Sequence, residues 1–239
     1  MFFKKRFLIS NTQNFTGTAL RINQIIKYTT GKKYLEIGVN YGFTFEGVNA
    51  ELKVAVDPEK KFISFKSGKF FKGKSDDFFN INYDNYDMIF IDGLHEYEQV
   101  LRDIVNSLNI TNEKGKVLID DVFPKNFNTA IKEWGLLSTE EKLAVSKGTI
   151  SWQGDVYKAI FLLINEYKEY LTFSTIKDDD HIQTVVWRKN HKIKIKYPSD
   201  KTIKFYNNPN WTKSLENGIP IEWNPCTMED LLVFLDEST

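Results

Sequence analysis

The chain alternates between two hydrophobic periods. Residues 18–29 place Leu20, Ile22, Ile25 and Ile26 at the three- and four-residue spacing of a helix that buries one face. Residues 33–38 form a short apolar run ending in glycine, the pattern of a buried strand entering a turn. The same pair of signals then recurs. Residues 43–51 read as a helix, 53–57 and 69–73 as strands, and 88–92 (MIFID) as a clearly buried strand. Residues 96–109 carry Val100, Ile104, Val105 and Leu108 on one helical face, and 116–121 (KVLIDD) return to a strand. A helix over 155–168 and strands over 171–175 and 182–188 follow. Strands alternating with helices predict βαβ units, and therefore a doubly wound α/β fold around a mostly parallel sheet.

The pattern changes after residue 189. Residues 191–206 alternate Lys with Ile across Pro198-Ser199-Asp200 and predict a hairpin with a basic, solvated face. Residues 227–236, opened by Thr227 as a cap, predict an amphipathic helix. The chain is thus read as a main domain over 1–189 and an accessory C-terminal hairpin/helix extension over 190–239, either a cover or an interface.

Composition narrows the setting. At 239 residues, 41% of them hydrophobic and 15% aromatic, the chain can bury roughly two-thirds or more of its unfolded surface, which excludes a disordered polymer. Its 32 basic side chains balance 32 acidic ones, so it lacks the basic excess of a protein held to nucleic acid by phosphate neutralisation. Cys226 alone forms neither an intramolecular disulfide nor a multi-cysteine metal site, and points to a reducing, cytoplasmic compartment. Residues 7–9 (FLI) are too short for a signal-peptide core, and no apolar run reaches the length of a membrane span.

Candidate chemistry gathers at predicted strand ends. Glu36-Ile37-Gly38-Val39-Asn40-Tyr41-Gly42 is a strand running into a Glu-x-Gly-x-x-x-Gly turn, where glycine lets a ligand lie against backbone. Asp57 ends the next strand, where an acidic group can accept both hydroxyls of a ribose. Asn40 and Phe43 stand where a nicotinamide-dinucleotide fingerprint needs its second and third glycines, so the turn suits a nucleoside without pyrophosphate, such as S-adenosylmethionine (SAM). Its alternative is a tight turn with no ligand. Glu36 is read either near the amino group of the ligand or as a helix cap or lysine partner.

Two later strands end at Asp92 and at Asp120-Asp121. Carboxylates at the carboxyl ends of neighbouring parallel strands converge and repel, and a divalent cation removes the conflict. An all-oxygen set selects Mg²⁺, Mn²⁺ or Ca²⁺. Successive strand residues face opposite ways, so Asp120 and Asp121 reach one ion only if the chain bends there. His95, three residues after Asp92, overlooks the same place as a proton acceptor for an attacking hydroxyl. The alternative makes the aspartates loop or capping residues. Further along, Trp152 is a sugar-stacking surface or a core or lid side chain. Asp155 and Lys158 after Gly154 either meet an acceptor or cap a helix and lie exposed. Tyr97 and Arg102 are read as structural.

These segments resemble the class I SAM-dependent methyltransferases, which have a Rossmann-like fold. The closest likeness is to the branch with the macrocin and mycinamicin sugar O-methyltransferases and enzymes of surface-polysaccharide synthesis. YLEIGVNYGFTF, VAVDP, KSDDFF, IDGLHEYEQVLRDI, VLIDDVFP and WQGDVYKAI carry the resemblance, over roughly residues 16–188. It implies Asp92, Asp120 and Asp121 as ligands of Mg²⁺ or Mn²⁺ and His95 as general base. It places Glu36, Gly38 and Asp57 on SAM, with Gly42 in the turn, Asp92 beside the cofactor, and Ser75 or Asp76 near its adenine. Many relatives have His-Asp at positions 120–121, and the acidic pair here favours the metal-using subgroup.

The expectation is therefore a Mg²⁺-dependent O-methyltransferase of a sugar-containing acceptor, with no nucleic-acid partner and homo-oligomerisation left open. Two rivals remain: a metal-independent N- or carboxyl-methyltransferase, and a cofactor-binding inactive partner docking through 190–239.

Overall fold

The computed structural model describes residues 16–29, 31–62, 64–124, 130–132, 134–147, 152–178 and 181–237. Residues 7–9 lie outside them. Helix α1 (Gly17–Ile25) opens the described chain, and the Thr16 hydroxyl accepts the Ala19 N–H at 3.1 Å to cap it. Then follow β1 (Lys33–Ile37), α2 (Phe43–Gly47), β2 (Leu52–Asp57), β3 (Lys69–Lys72), α3 (Ser75–Ile81), β4 (Tyr86–Ile91), α4 (Tyr97–Asn109) and β5 (Thr111–Ile119). The second half comprises α5 (Thr139–Ser146), α6 (Tyr157–Tyr167), β6 (Leu171–Ile176), β7 (Gln183–Arg188), α7 (Asp200–Tyr206), β8 (Pro225–Cys226) and α8 (Met228–Glu237).

The strands form one sheet in the order β3-β2-β1-β4-β5-β7-β6-β8. Pairings from β3 to β5 are parallel, β7 runs antiparallel to both β5 and β6, and β8 pairs in parallel with β6. β4 is buried at all six positions, as expected of a strand covered on both faces. Alternation divides the apolar residues between two cores. Leu35, Ile37, Ile89, Ile91, Val117 and Ile119 pack with α4 and α6 on one face. Tyr34, Met88, Phe90 and Leu118 pack with α1 and α8 on the other. This is the predicted doubly wound α/β fold, with strand order reversing between β1 and β4.

Three expectations need correction. The helix expected over 43–51 stops at Gly47, because Val48 turns to an extended conformation at φ −82° and ψ 128°. The short helices α3, α5 and α7 escaped the sequence reading because each spans only two turns or so; α5 is marked by a Ser138–Glu141 capping box. No hairpin forms over 191–206. Ser199 accepts the Thr202 N–H at 3.3 Å and starts α7, so Pro198-Ser199-Asp200 is a helix start rather than a reversal of the chain. The preceding backbone bonds elsewhere: Asn109 brackets Ile195 with bonds of 2.8 and 2.9 Å, and the Tyr167 hydroxyl donates to the Lys196 carbonyl at 2.8 Å. The tail joins the main cores through Ile195, Tyr206, Leu215 and Trp223 on one face and Leu231 and Leu235 on the other. Among the described residues, no helix is long and apolar enough to cross a membrane.

Candidate active site

The parallel register brings strand ends level with one another. Ile37 pairs with Ile91, and Ile91 with Ile119. The ladder runs one step further, with Asp92 N–H donating to the Ile37 carbonyl at 2.9 Å and Asp120 N–H to the Ile91 carbonyl at 3.0 Å. The residues after β1, β4 and β5 therefore meet at the point where strand order reverses, where open α/β sheets place their ligand crevice. A cleft of about 780 Å³ lies there. Of the expected residues, Gly38, Asp57, Ser75, Asp92, His95 and Trp152 line it.

The side of the cleft at the ends of β1 and β2 is shaped by backbone. Gly38 has φ 86°, and a Cβ there would stand 2.0 Å from the Asp92 carbonyl oxygen, so only glycine lets the β1 and β4 turns pack. Asp57 accepts the Asn40 N–H at 2.9 Å on one oxygen and the Glu59 N–H at 2.8 Å on the other. Those bonds fix the carboxylate against the glycine turn, and each oxygen retains a lone pair for the cleft. Gly42 caps α2 and lies outside the lining. Asp76 sits just behind Ser75, 3.3 Å from the Gln99 amide nitrogen.

Glu36 is placed differently from either expectation. Strand alternation turns it to the α1 face with Tyr34, and it is only 1% exposed beneath the cleft. The Tyr34 hydroxyl donates to its Oε2 at 2.6 Å. Burial pushes its pKa up to about 8, opposed by the Tyr34 bond and reinforced by Asp92. A carboxyl raised in the folded state contributes stability that is complete below its ordinary value of 4.5 and is lost as pH climbs towards 8. Glu36→Gln should therefore flatten the stability profile between pH 5 and 8 and stabilise the protein at pH 8 by a few kcal/mol, on the order of the ionisation penalty. Urea melts at both pH values measure this. Parallel profiles for the two proteins would show that Glu36 ionises without penalty.

The second cluster surrounds His95. Its Nδ1 lies 2.9 Å from the Trp152 carbonyl oxygen, which can only accept, so Nδ1 carries hydrogen. Nε2 is directed to Asp121 Oδ2 at 3.2 Å and Asp92 Oδ1 at 3.5 Å. The imidazole also stacks on Trp152, with ring centroids 5.4 Å apart. Burial works against its charge, but the bond to Asp92 and the charges of Asp121 and Asp92 raise its pKa well above the ordinary imidazole value. Burial and mutual repulsion raise Asp92 and Asp121 above the usual carboxylate range, with His95 opposing.

The expected trio of aspartates does not assemble. Asp121 bends into the left-handed region at φ 54° and turns to His95, whereas Asp120 points away, its Oδ2 2.9 Å from His181 Nε2. The Asp120 Oδ1 accepts the N–H of Asp121 at 2.8 Å and holds the bend. Asp92, His95 and Asp121 instead offer three donor atoms within 4.8 Å of one another. The two crowded carboxylates of this set suit a divalent cation, and His95 stands beside them with its ring oriented by Nδ1–H on the Trp152 carbonyl. His181 is the member of this neighbourhood that the sequence reading missed. It comes from the turn before β7, and its only prior signal was being one of three histidines.

Asp155 and Lys158 leave the acceptor role. Asp155 is fully buried and Lys158 is 6% exposed; they pair at 2.8 Å beneath the cleft. Asp155 Oδ1 accepts the Tyr97 N–H at 2.6 Å, capping α4, and its own N–H donates to the His95 carbonyl at 3.2 Å. A Cβ on Gly154 would stand inside the His95 backbone. These residues therefore fix His95 in the loop that leads into α4.

Strand order, glycine turn and switch-point cleft define a Rossmann-like α/β protein. Residues 35–122 match a family model described as a methyltransferase domain. Similar folds include a putative O-methyltransferase from Klebsiella pneumoniae, 14% identical over 77% of this chain and 83% of that one, with a TM-score of 0.51. The plantazolicin methyltransferase BpumL in complex with SAH is also similar, at 14% identity over 72% of this chain and 82% of that one, with a TM-score of 0.52. At these identities the likeness is one of fold. No curated protein matches the sequence.

Proposed function

We propose that this protein transfers the methyl group of SAM to a hydroxyl oxygen, assisted by a divalent cation, with His95 as general base and a sugar-containing acceptor. The observation that carries this reading is His95 in the cleft wall, with one ring nitrogen tied to backbone and the other aimed between Asp92 and Asp121. The nucleoside side supports SAM as donor: Asp57 stands ready for the ribose and Gly38 opens the floor. Mg²⁺ or Mn²⁺ would be held by Asp92 and Asp121, and when bound it supplies positive charge that stabilises an oxygen losing its proton. With Asp92 and Asp121 engaged in that way, they would no longer hold a proton on the imidazole, and Nε2 of His95 would be neutral to take the acceptor proton. Nδ1–H on the Trp152 carbonyl keeps the ring in the tautomer that does so. SAM would supply a methyl on its sulfonium, so that transfer to the acceptor oxygen would leave S-adenosylhomocysteine (SAH). The sugar assignment follows the motif resemblance, with the half-buried Trp152 face beside His95 as the surface on which a pyranose would stack.

Methyl transfer to sugar hydroxyls should disappear in EDTA and return with Mg²⁺. Full activity in EDTA would remove the cation from the mechanism and favour a metal-independent N- or carboxyl-methyltransferase.

A further inference from the structure

His181 stands just before β7 and belongs to none of the motifs above. Its backbone is held by α1: Arg21 donates to its carbonyl and, at 2.8 Å, to Gln183 Oε1. The Gln183 amide in turn donates to the Thr18 hydroxyl at 3.0 Å. β7 runs antiparallel to β5 with Thr184 opposite Ile119, so the anchored segment faces the residues that follow β5. There Asp120, 6% exposed, has both oxygens engaged. Oδ2 lies 2.9 Å from His181 Nε2, and an ionised carboxylate only accepts, so Nε2 carries the hydrogen. Oδ1 accepts the N–H of Asp121 at 2.8 Å. Asp121 has φ 54°, a conformation that residues with a Cβ keep only where surrounding bonds hold it. That bend turns Asp121 towards His95, 3.2 Å from its Nε2.

We propose that His181 is a positioning residue for the cation site: through Asp120 it locks the bend that delivers Asp121. The inference rests on the divalent-cation reading and adds to it a residue that acts through another. Without the His181 hydrogen, the Asp120 carboxyl can rotate and release the Asp121 N–H. Asp121 then spreads over other backbone conformations, and the two carboxylates of Asp92 and Asp121 no longer share one place. Groups that hold a metal ligand from behind change metal affinity by about 10–100-fold when they are removed. The His181 side chain is 55% exposed, so its truncation opens no interior cavity.

Mn²⁺ binding to the whole protein, followed by electron paramagnetic resonance, tests this without turnover. His181→Ala should weaken Mn²⁺ binding by about 10–100-fold. His181→Gln carries an amide nitrogen that can replace Nε2 as donor, so its affinity should stay within about threefold of wild type. Unchanged Mn²⁺ affinity in His181→Ala would overturn the proposal. Tighter binding would overturn it too, because His181 would then be withholding Asp120 from the cation. An equal loss in both variants would trace the effect to the ring rather than to its donated hydrogen, with the same consequence. Failure of the wild type to bind Mn²⁺ would overturn the cation reading itself, a distinct result.

Discussion

His95→Ala is expected to lower kcat by about 10²–10⁴-fold, the usual contribution of a positioned acid–base group. SAH affinity should stay within about threefold of wild type, because the proposed nucleoside contacts, Gly38 and Asp57, lie at the β1 and β2 ends of the cleft. Nε2 of His95 is the nitrogen that faces the cleft carboxylates, and its loss leaves Asp92 and Asp121 without their shared partner. Two readouts separate base from scaffold. Rapid-quench turnover reports proton removal, and calorimetry with SAH reports the pocket. Turnover near wild type would exclude His95 as base. A parallel collapse of SAH affinity would make His95 a structural member of the cleft instead.

Lys158→Met should cost about 3–5 kcal/mol of folding stability, because it strands the fully buried Asp155 charge in the interior. The change keeps much of the side-chain volume, so little of the loss comes from a cavity. Lys158 also donates to Asn207 Oδ1 at 3.1 Å, linking the end of α7 to the residue that caps α4 and seats His95. Equilibrium urea unfolding measures the loss, and kcat of the protein that remains folded should fall with it. A raised KM for the acceptor with unchanged stability would return Lys158 to the substrate-binding role that its motif suggested.

The strand ends were readable because apolar runs of the right length stop at glycine or aspartate, and parallel strands bring such ends into one crevice. That placed Gly38, Asp57, Asp92 and His95 along the cleft. The Asp120-Asp121 pair was readable only as a choice. Period two sends neighbours to opposite faces, and the left-handed bend at Asp121 decided which one reached His95. Glu36 followed the same parity to the far face, where Tyr34 holds it. In the tail, lysine and isoleucine alternated as in a strand, but the bonds that compete for that backbone come from Asn109 and Tyr167, distant in sequence.

By itself the sequence determined the main strands, the longer helices between them and hence the doubly wound fold, because these follow from local period and from residues at element ends. The tertiary structure decided which side chains act together. His181 takes Asp120 from 61 positions away, and Trp152 fixes the His95 ring from 57. Asp155 and Lys158 vanish beneath the cleft. Such pairings depend on contacts between segments far apart in the chain, whose distances and directions exist only once the sheet has closed over its two cores.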